Sequence, residues 1–289
     1  MNKEKILVIG GSGFLGSHVS DSLTQQGHDA TIFDQKESPY LSSNQKFIQG
    51  SFLDRDKLDD SISKNDYVFH FGGIADIKES SIDPIKTISS NVMGTSYILE
   101  SCKKNNIKKF IFSSSIYVFS KLGSFYSVSK RACEDIIRTY QSEHSLPFVI
   151  ARYGSLYGPR AQSWNGLQKY VQEILDKKSI SYIGTGEEKR DYIHVKDAAN
   201  ISSSLISDKY LNTAVYISGH QTLTSSELLS MIFEICGEKE KIKFENINNE
   251  FHYKISPYSY DPLPSIKIIP DNFIDLGQGI LELISSLDK

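Results

Sequence analysis

Cysteine is scarce: the 289 residues hold three, Cys102, Cys133 and Cys236. They are odd in number and far apart, with no Cys-x-x-Cys pair. That excludes a disulfide framework or a thiolate metal site and points to a reducing compartment. The seven histidines are equally scattered, with no pair four residues apart, so no metal centre is indicated. A surplus of one charge is also missing. The 32 basic and 35 acidic residues leave a net charge of −3, and the lysines are spread along the chain. Nothing therefore favours nucleic acid or an anionic membrane as partner. Long apolar runs are absent too. The first, Ile6–Ile9, stops at Gly10 and is too short for a secretory signal, and no later window is long enough to cross a bilayer. A soluble, cytoplasmic protein is expected, with no internal repeat and no low-complexity linker.

What is present is an ordinary folding composition, 39% hydrophobic and 23% charged, in a chain long enough to bury a substantial core. Ile6–Ile9, Ala30–Phe33, Phe47–Ile48, Tyr67–Phe71, Phe110–Phe112 and Phe148–Ala151 read as buried strands. Between the first two, Leu15, Val19 and Leu23 recur every four residues and Gly27 is placed to stop a helix. Met93–Cys102 and Val128–Gln141 carry helical spacing as well. Strand alternating with helix predicts a doubly wound, Rossmann-like α/β fold on a parallel sheet. After about residue 157 the rhythm changes. Helices near Gln168–Asp176 and Ser225–Cys236, and a loop-rich stretch from Asn246 to Pro270, predict a smaller carboxy-terminal lobe.

Gly10-Gly11-Ser12-Gly13-Phe14-Leu15-Gly16 lies directly between the first strand and the first helix. Glycine there allows a sharp turn and lets a pyrophosphate approach the helix N-terminus, where free N–H groups favour anions. Asp34 closes the second strand, where a carboxylate accepts hydrogen bonds from an adenosine ribose. It would repel a 2′-phosphate, so NAD is favoured over NADP. Tyr126 and Lys130 stand four apart in Tyr126-Ser127-Val128-Ser129-Lys130, on one face of a helix. A phenol normally titrates near ~10, and a nearby ammonium favours the phenolate. Ser113-Ser114-Ser115 ends the fifth strand at the carboxyl edge of the sheet, where open α/β sheets bind ligands. Ser115 could hold a reacting hydroxyl while Tyr126 takes its proton.

Together these segments resemble the extended short-chain dehydrogenase/reductases that act on nucleotide sugars, in the NAD-dependent epimerase/dehydratase branch. The likeness runs nearly end to end. Gly10–Gly16 is similar to the family's cofactor turn, Asp66–Gly73 to the segment passing beneath the dinucleotide, and Asn91–Thr95 to the start of the next helix. Ser115, Tyr126 and Lys130 match the catalytic triad. Arg152–Pro159 resembles the Arg-x-x-Asn-x-Tyr-Gly-Pro run, and Arg190–Asp197 the segment whose arginine holds the nucleotide diphosphate.

The resemblance implies a cofactor site of Gly10, Gly13, Phe14, Leu15, Gly16 and Asp34, with Ser51 and Phe52 near the adenine. Phe71, Gly72, Gly73 and Asn91 would lie beneath the cofactor, and Ser113, Tyr126, Lys130 and Tyr153 toward its nicotinamide. It implies substrate contacts from Ser115, Tyr126, Ser155, Arg160, Tyr182 and Arg190. Residues 1–156, with a return at about 190–214, would form the NAD-binding domain; about 157–189 and 215–289 would form the substrate lobe. A homodimer through the helices beginning near Asn91 and Tyr126 is implied as well.

Departures from the pattern narrow the activity. The sugar dehydratases carry an Asp-Glu pair after the strand-five motif; this chain has Ile116-Tyr117, which disfavours dehydration. Only ten residues separate Ser115 from Tyr126, about half the family's usual stretch, implying a more open sugar pocket. Ser155 replaces the family's asparagine, and Ser51 its ribose-side acid. No arginine follows Arg190, leaving Lys254 or Lys267 to assist at the diphosphate without arginine's bidentate fork.

Tyr182 and the aromatics between Phe251 and Tyr260 suit either base stacking or the packing of a small lobe. Cys133 reads as helix packing, and His70 as a packing group under the cofactor. The resulting expectation is oxidation at C4 of a nucleotide-linked sugar, as a 4-epimerase or 4-dehydrogenase. A 4-ketoreductase, or a non-catalytic NAD-binding regulator on the same fold, are the alternatives.

Overall fold

The computed structural model describes residues 3–120, 122–245 and 266–287. In chain order the elements are β1 (Lys5–Ile9), α1 (Phe14–Gln25), β2 (Asp29–Asp34), β3 (Lys46–Gln49), α2 (Arg55–Ile62) and β4 (Tyr67–His70). There follow α3 (Ile77–Ile82), α4 (Pro84–Thr87), a π-helical turn over Ile88–Met93 and α5 (Gly94–Lys104). Then come β5 (Lys109–Ser115), a 3₁₀ turn over Ile116–Phe119, α6 (Ser124–His144), β6 (Phe148–Tyr153) and β7 (Ser155–Tyr157). The remainder is α7 (Gly166–Lys177), β8 (Ile180–Ile183), β9 (Lys189–His194), α8 (Val195–Ser204), β10 (Thr213–Ile217), β11 (Thr222–Thr224), α9 (Ser225–Ile235), β12 (Ile242–Glu245), β13 (Ile266–Ile268) and α10 (Leu276–Leu287).

Eight strands form one parallel sheet in the order β13-β10-β6-β5-β4-β1-β2-β3. Successive residues of a strand face opposite sides, so an unbroken apolar strand serves two cores at once. In β1, Ile6 and Val8 enter the cluster with Leu15, Val19 and Leu23 of α1 and Ala198 of α8. Leu7 and Ile9 enter the other cluster, with Leu58 of α2, Ile98 of α5 and Ile137 of α6. The expected Rossmann-like, doubly wound architecture is what forms.

The order reverses beside β1: β2 lies on one side and β4 on the other. At such a switch point the loops leaving the carboxyl ends part and open a crevice. The glycine turn after β1, the segment after β4 and Ser113–Ser115 of β5 all lie at that edge.

A third apolar cluster joins Leu167, Val171 and Ile174 of α7, Leu228, Leu229 and Ile232 of α9, and Ile280 and Leu283 of α10. It is the core of the smaller lobe. The lobe's expected start at 215 falls inside a strand, however. β10 runs to Ile217 against β6, and β13 pairs with β10, so both complete the large sheet. The reason is chemical: Val215, Tyr216 and Ile217 are fully buried, and a strand buried on both faces must sit within a sheet.

Candidate active site

The glycine turn is built by close approach. Gly10 has φ +77°, and a Cβ there would lie 2.4 Å from the Gly72 nitrogen; one on Gly16 would lie 2.2 Å from the Gly10 oxygen. Only glycine fits either position. Gly13 is the N-cap of α1 and supplies no side-chain cap, so the first-turn N–H groups of Phe14, Leu15 and Gly16 have no side chain bonded over them. The buried Ser12 hydroxyl has no hydrogen-bond partner among the described residues. Asp34 accepts the Ser12 N–H on Oδ2 at 3.1 Å and the Gln35 N–H on Oδ1 at 2.7 Å. A carboxylate thus adjoins the pyrophosphate cradle, as NAD requires: the turn fits the diphosphate and the acid fits an unphosphorylated ribose.

The floor of the crevice comes from β4 and its neighbours. The Phe52 ring lies between Gly72 and Gly94 and meets His70 edge-on, with centroids 5.6 Å apart. His70 is buried, its Nε2 pairs with the Thr95 hydroxyl at 3.2 Å, and burial pulls its pKa down to about 3. It is therefore a neutral packing group, as the sequence suggested. Asn91 lies in the π-helical turn, a geometry frequent at functional sites. Its Oδ1 accepts the Ile74 N–H at 2.8 Å, while its Nδ2 donates to the Ile74 carbonyl at 2.9 Å and to the Ser129 hydroxyl at 3.0 Å. Its polar atoms fasten the segment after Phe71, Gly72 and Gly73 to α6, so Asn91 shapes the crevice through the backbone. Ser51 accepts the Leu53 N–H at 3.2 Å.

Lys130 of α6, one turn after Tyr126, reaches the carboxyl end of β5, where Ser115 is the last residue. Ser115 caps the 3₁₀ turn, accepting the Tyr117 N–H at 3.3 Å, and leaves its own proton to donate. The Lys130 ammonium donates to the Ser113 carbonyl at 2.7 Å, lies 4.8 Å above the Phe112 ring, and stands 5.9 Å from the Tyr126 ring centre. Burial is the main influence on this lysine and lowers its pKa to about 8; the neighbouring Cys133 and Glu134 side chains oppose that. Tyr126 is half-buried at the start of α6, anchored where its N–H donates to the Ser80 hydroxyl at 3.2 Å. Tyr117 packs edge-on against its ring, with centroids 6.2 Å apart. The short connection from Ser115 to Tyr126 thus carries a second aromatic to the proposed base.

Three expected contact residues have partners within the protein. Tyr153 is buried with its hydroxyl 2.6 Å from Ser202 of α8, so its ring belongs to the core. Arg160 pairs with Asp21 of α1 at 2.8 Å and lies 4.3 Å from the Tyr40 ring centre; it braces the helix behind the glycine turn. Tyr182 is buried in the small lobe, edge-on to Tyr170 and Phe244, with its hydroxyl 2.7 Å from Ser225. Its ring is a packing element, the second of the two readings open to it. Ser155 begins β7 opposite Tyr192 of β9. Arg190 stands on β9 opposite Leu223 of β11, half-buried, donating from Nη1 to the Lys189 carbonyl at 3.1 Å. Lys267 lies on β13, its ammonium 5.8 Å from the Tyr216 ring centre. Lys254 and the aromatics between Phe251 and Tyr260 lie outside the described residues.

A residue that the sequence did not single out, Glu134, stands beside this site, paired with the motif arginine Arg152. Glu134 and Arg152 are almost wholly buried, and the guanidinium grips the carboxylate twice, Nε to Oε1 at 3.0 Å and Nη2 to Oε2 at 2.7 Å. Their spacing from Lys130 and the strand end was the available signal: Glu134 is one helical turn beyond Lys130.

Comparison with known proteins agrees with this geometry. The sequence profile of the NAD dependent epimerase/dehydratase family matches residues 6–212. A dTDP-D-glucose 4,6-dehydratase of Dictyostelium discoideum is 29% identical over 67% of this chain, which spans 53% of that protein's length. A UDP-N-acetyl-alpha-D-glucosaminuronate decarboxylase of Bacillus cytotoxicus is 27% identical, over 92% of this chain and 89% of its own. The structure of a UDP-N-acetylglucosamine 4-epimerase of Methanobrevibacter ruminantium, solved with UDP-N-acetylmuramic acid, superposes with a TM-score of 0.85 at 26% identity, over 100% of this chain and 99% of that one. The chain belongs to the NAD dependent epimerase/dehydratase family, and NAD is its cofactor.

Proposed function

We propose that this enzyme oxidises the C4 hydroxyl of a nucleotide-diphosphate sugar, acting as a 4-epimerase or a 4-dehydrogenase. The observation that carries the reading is that Lys130, beside the Tyr126 ring, bonds the end of β5 that bears Ser115, at the same sheet edge as the glycine cradle. Bound NAD supplies the hydride acceptor. Ser115 donates a hydrogen bond to the sugar hydroxyl and fixes its direction. Tyr126 accepts the hydroxyl proton, and the neighbouring Lys130 ammonium favours its phenolate. Arg190 holds the diphosphate, whose charges do not react and so serve to orient the sugar.

Ile116 and Tyr117 occupy the place where dehydratases carry their acid pair, and neither side chain has a carboxyl group. That favours chemistry confined to C4 over loss of water. The test is incubation of the purified enzyme with UDP- and dTDP-linked hexoses, followed by mass spectrometry and sugar analysis. A C4 stereoisomer or a 4-ketone supports the reading. A 4-keto-6-deoxy product, or no turnover of any such sugar, removes it.

The proposal includes a homodimer through α5 and α6. Met93, Phe125 and Val128, each more than two-fifths exposed, give that face apolar surface to bury. Light scattering at micromolar concentration that returned a monomer would remove this part.

A further inference from the structure

Glu134 stands two turns after Tyr126 and one after Lys130 on α6, and it is 2% exposed. Burying a carboxylate is costly unless it is paired and its lone pairs are filled. Here they are filled from three directions. Ser114 of β5 donates its hydroxyl at 2.6 Å, Arg152 of β6 its two-pronged guanidinium, and Arg138 of α6 its Nη2 at 3.1 Å. Arg152 has no exposed surface, and its guanidinium carbon lies 4.5 Å from the centre of the Phe119 ring. Ser114 directly precedes Ser115, and Phe119 ends the 3₁₀ turn that directly follows it. The pair therefore holds side chains on both sides of Ser115, the Ser114 hydroxyl and the Phe119 ring, and ties them to the helix that carries Tyr126.

We propose that Glu134 and Arg152 form a positioning pair that sets Ser115 against Tyr126 and Lys130, so that the reaction geometry is fixed by a buried ion pair. This rests on the C4-oxidation reading for its effect on turnover. A simpler packing role would need neither the charge nor the bond to Ser114, since apolar side chains of similar volume often stabilise as well as a buried ion pair. The placement beside the reacting groups is what distinguishes this pair.

Its charge also bears on Lys130. The groups facing Lys130 and Glu134 are Tyr126, Cys133 and Arg138 of α6, His70 of β4 and Arg152 of β6. His70 is neutral, and burial raises the Cys133 thiol above its ordinary range. Glu134 thus supplies negative charge that helps Lys130 stay protonated.

The test compares wild type with Glu134→Gln, Arg152→Lys and the double variant Glu134→Gln/Arg152→Met. In each, turnover, KM and thermal stability are measured, together with the pH dependence of NADH binding followed by fluorescence. Glu134→Gln should lower kcat by about 10²-fold, the effect of a slight misplacement of reacting groups, with KM changed much less. Arg152→Lys keeps the cation but loses the fork and should lower kcat in the same sense if Glu134→Gln fails to fold. The double variant strands no buried charge, so it should regain stability and remain slow. If kcat recovered whenever stability did, the pair would be structural only and the proposal overturned. In Glu134→Gln the alkaline loss of NADH binding should move to lower pH. An unmoved limb would also overturn it. That readout needs no sugar: a moved limb in a protein that turns over no nucleotide sugar would keep this proposal and remove the C4 reading.

Discussion

The ammonium of Lys130 sits 2.7 Å from the carbonyl oxygen of Ser113, so the helix bearing the proposed base is fastened to the strand bearing the proposed hydroxyl anchor. This bond and the one from Ser114 to Glu134 join the two halves of the site. The same ammonium is surrounded by the Phe112 and Tyr126 rings, and this low-dielectric setting makes its charge both influential and fragile.

That fragility gives a pH prediction. Burial lowers Lys130 from an ordinary lysine value to about 8. The charged form dominates below that value and is lost as pH rises through it. Turnover should therefore fall on the alkaline side near pH 8, well below the point an exposed lysine would give. Lys130→Met should lose both turnover and NAD affinity at every pH and have no such limb. A profile flat to pH 10 would contradict the assignment.

Cofactor choice is carried by Asp34, whose carboxylate already holds the Ser12 N–H. A 2′-phosphate brought there would meet like charge beside the turn. Fluorescence titration should show NAD binding more tightly than NADP, and Asp34→Ala should narrow the difference. Tighter binding of NADP by wild type would contradict this role.

Much of this arrangement is legible in the sequence, for a physical reason. Ile6–Ile9 followed by glycines and a four-residue apolar repeat admits little besides a strand, a turn and a helix. The serine run after Phe110–Phe112 is read just as directly. What escapes is whatever depends on partners distant in sequence. Arg152 looks like a motif arginine until Glu134, eighteen positions earlier, is seen to face it in the dry interior. Arg160 looked equally fit for a substrate, but Asp21 holds it behind α1. Tyr153 and Tyr182 lie on alternating strand positions that the sheet and the small lobe turn inward. The return of β10 and β13 to the large sheet depends on strand pairing, which local apolar pattern does not specify.

Substrate affinity should lean on Arg190. It is the last arginine of the sequence, and its planar fork suits two phosphate oxygens at once. Arg190→Ala should cost ~2–4 kcal/mol in nucleotide-sugar binding, the range for breaking a desolvated charge contact. NAD binding should be unchanged, since the glycine turn lies across the crevice. Calorimetry with a UDP- or dTDP-hexose and with NAD separates the two. Unaltered sugar-nucleotide binding would place the diphosphate elsewhere or point to another substrate class.

The central claim is that Tyr126 is the base, and Tyr126→Phe tests it most directly, because the ring and its packing against Tyr117 remain while the hydroxyl is lost. Single-turnover kinetics with a nucleotide hexose should show the oxidation step slowed by ~10²–10⁴-fold, the usual contribution of a positioned acid–base group, with NAD still bound. Turnover within a few-fold of wild type would contradict the account.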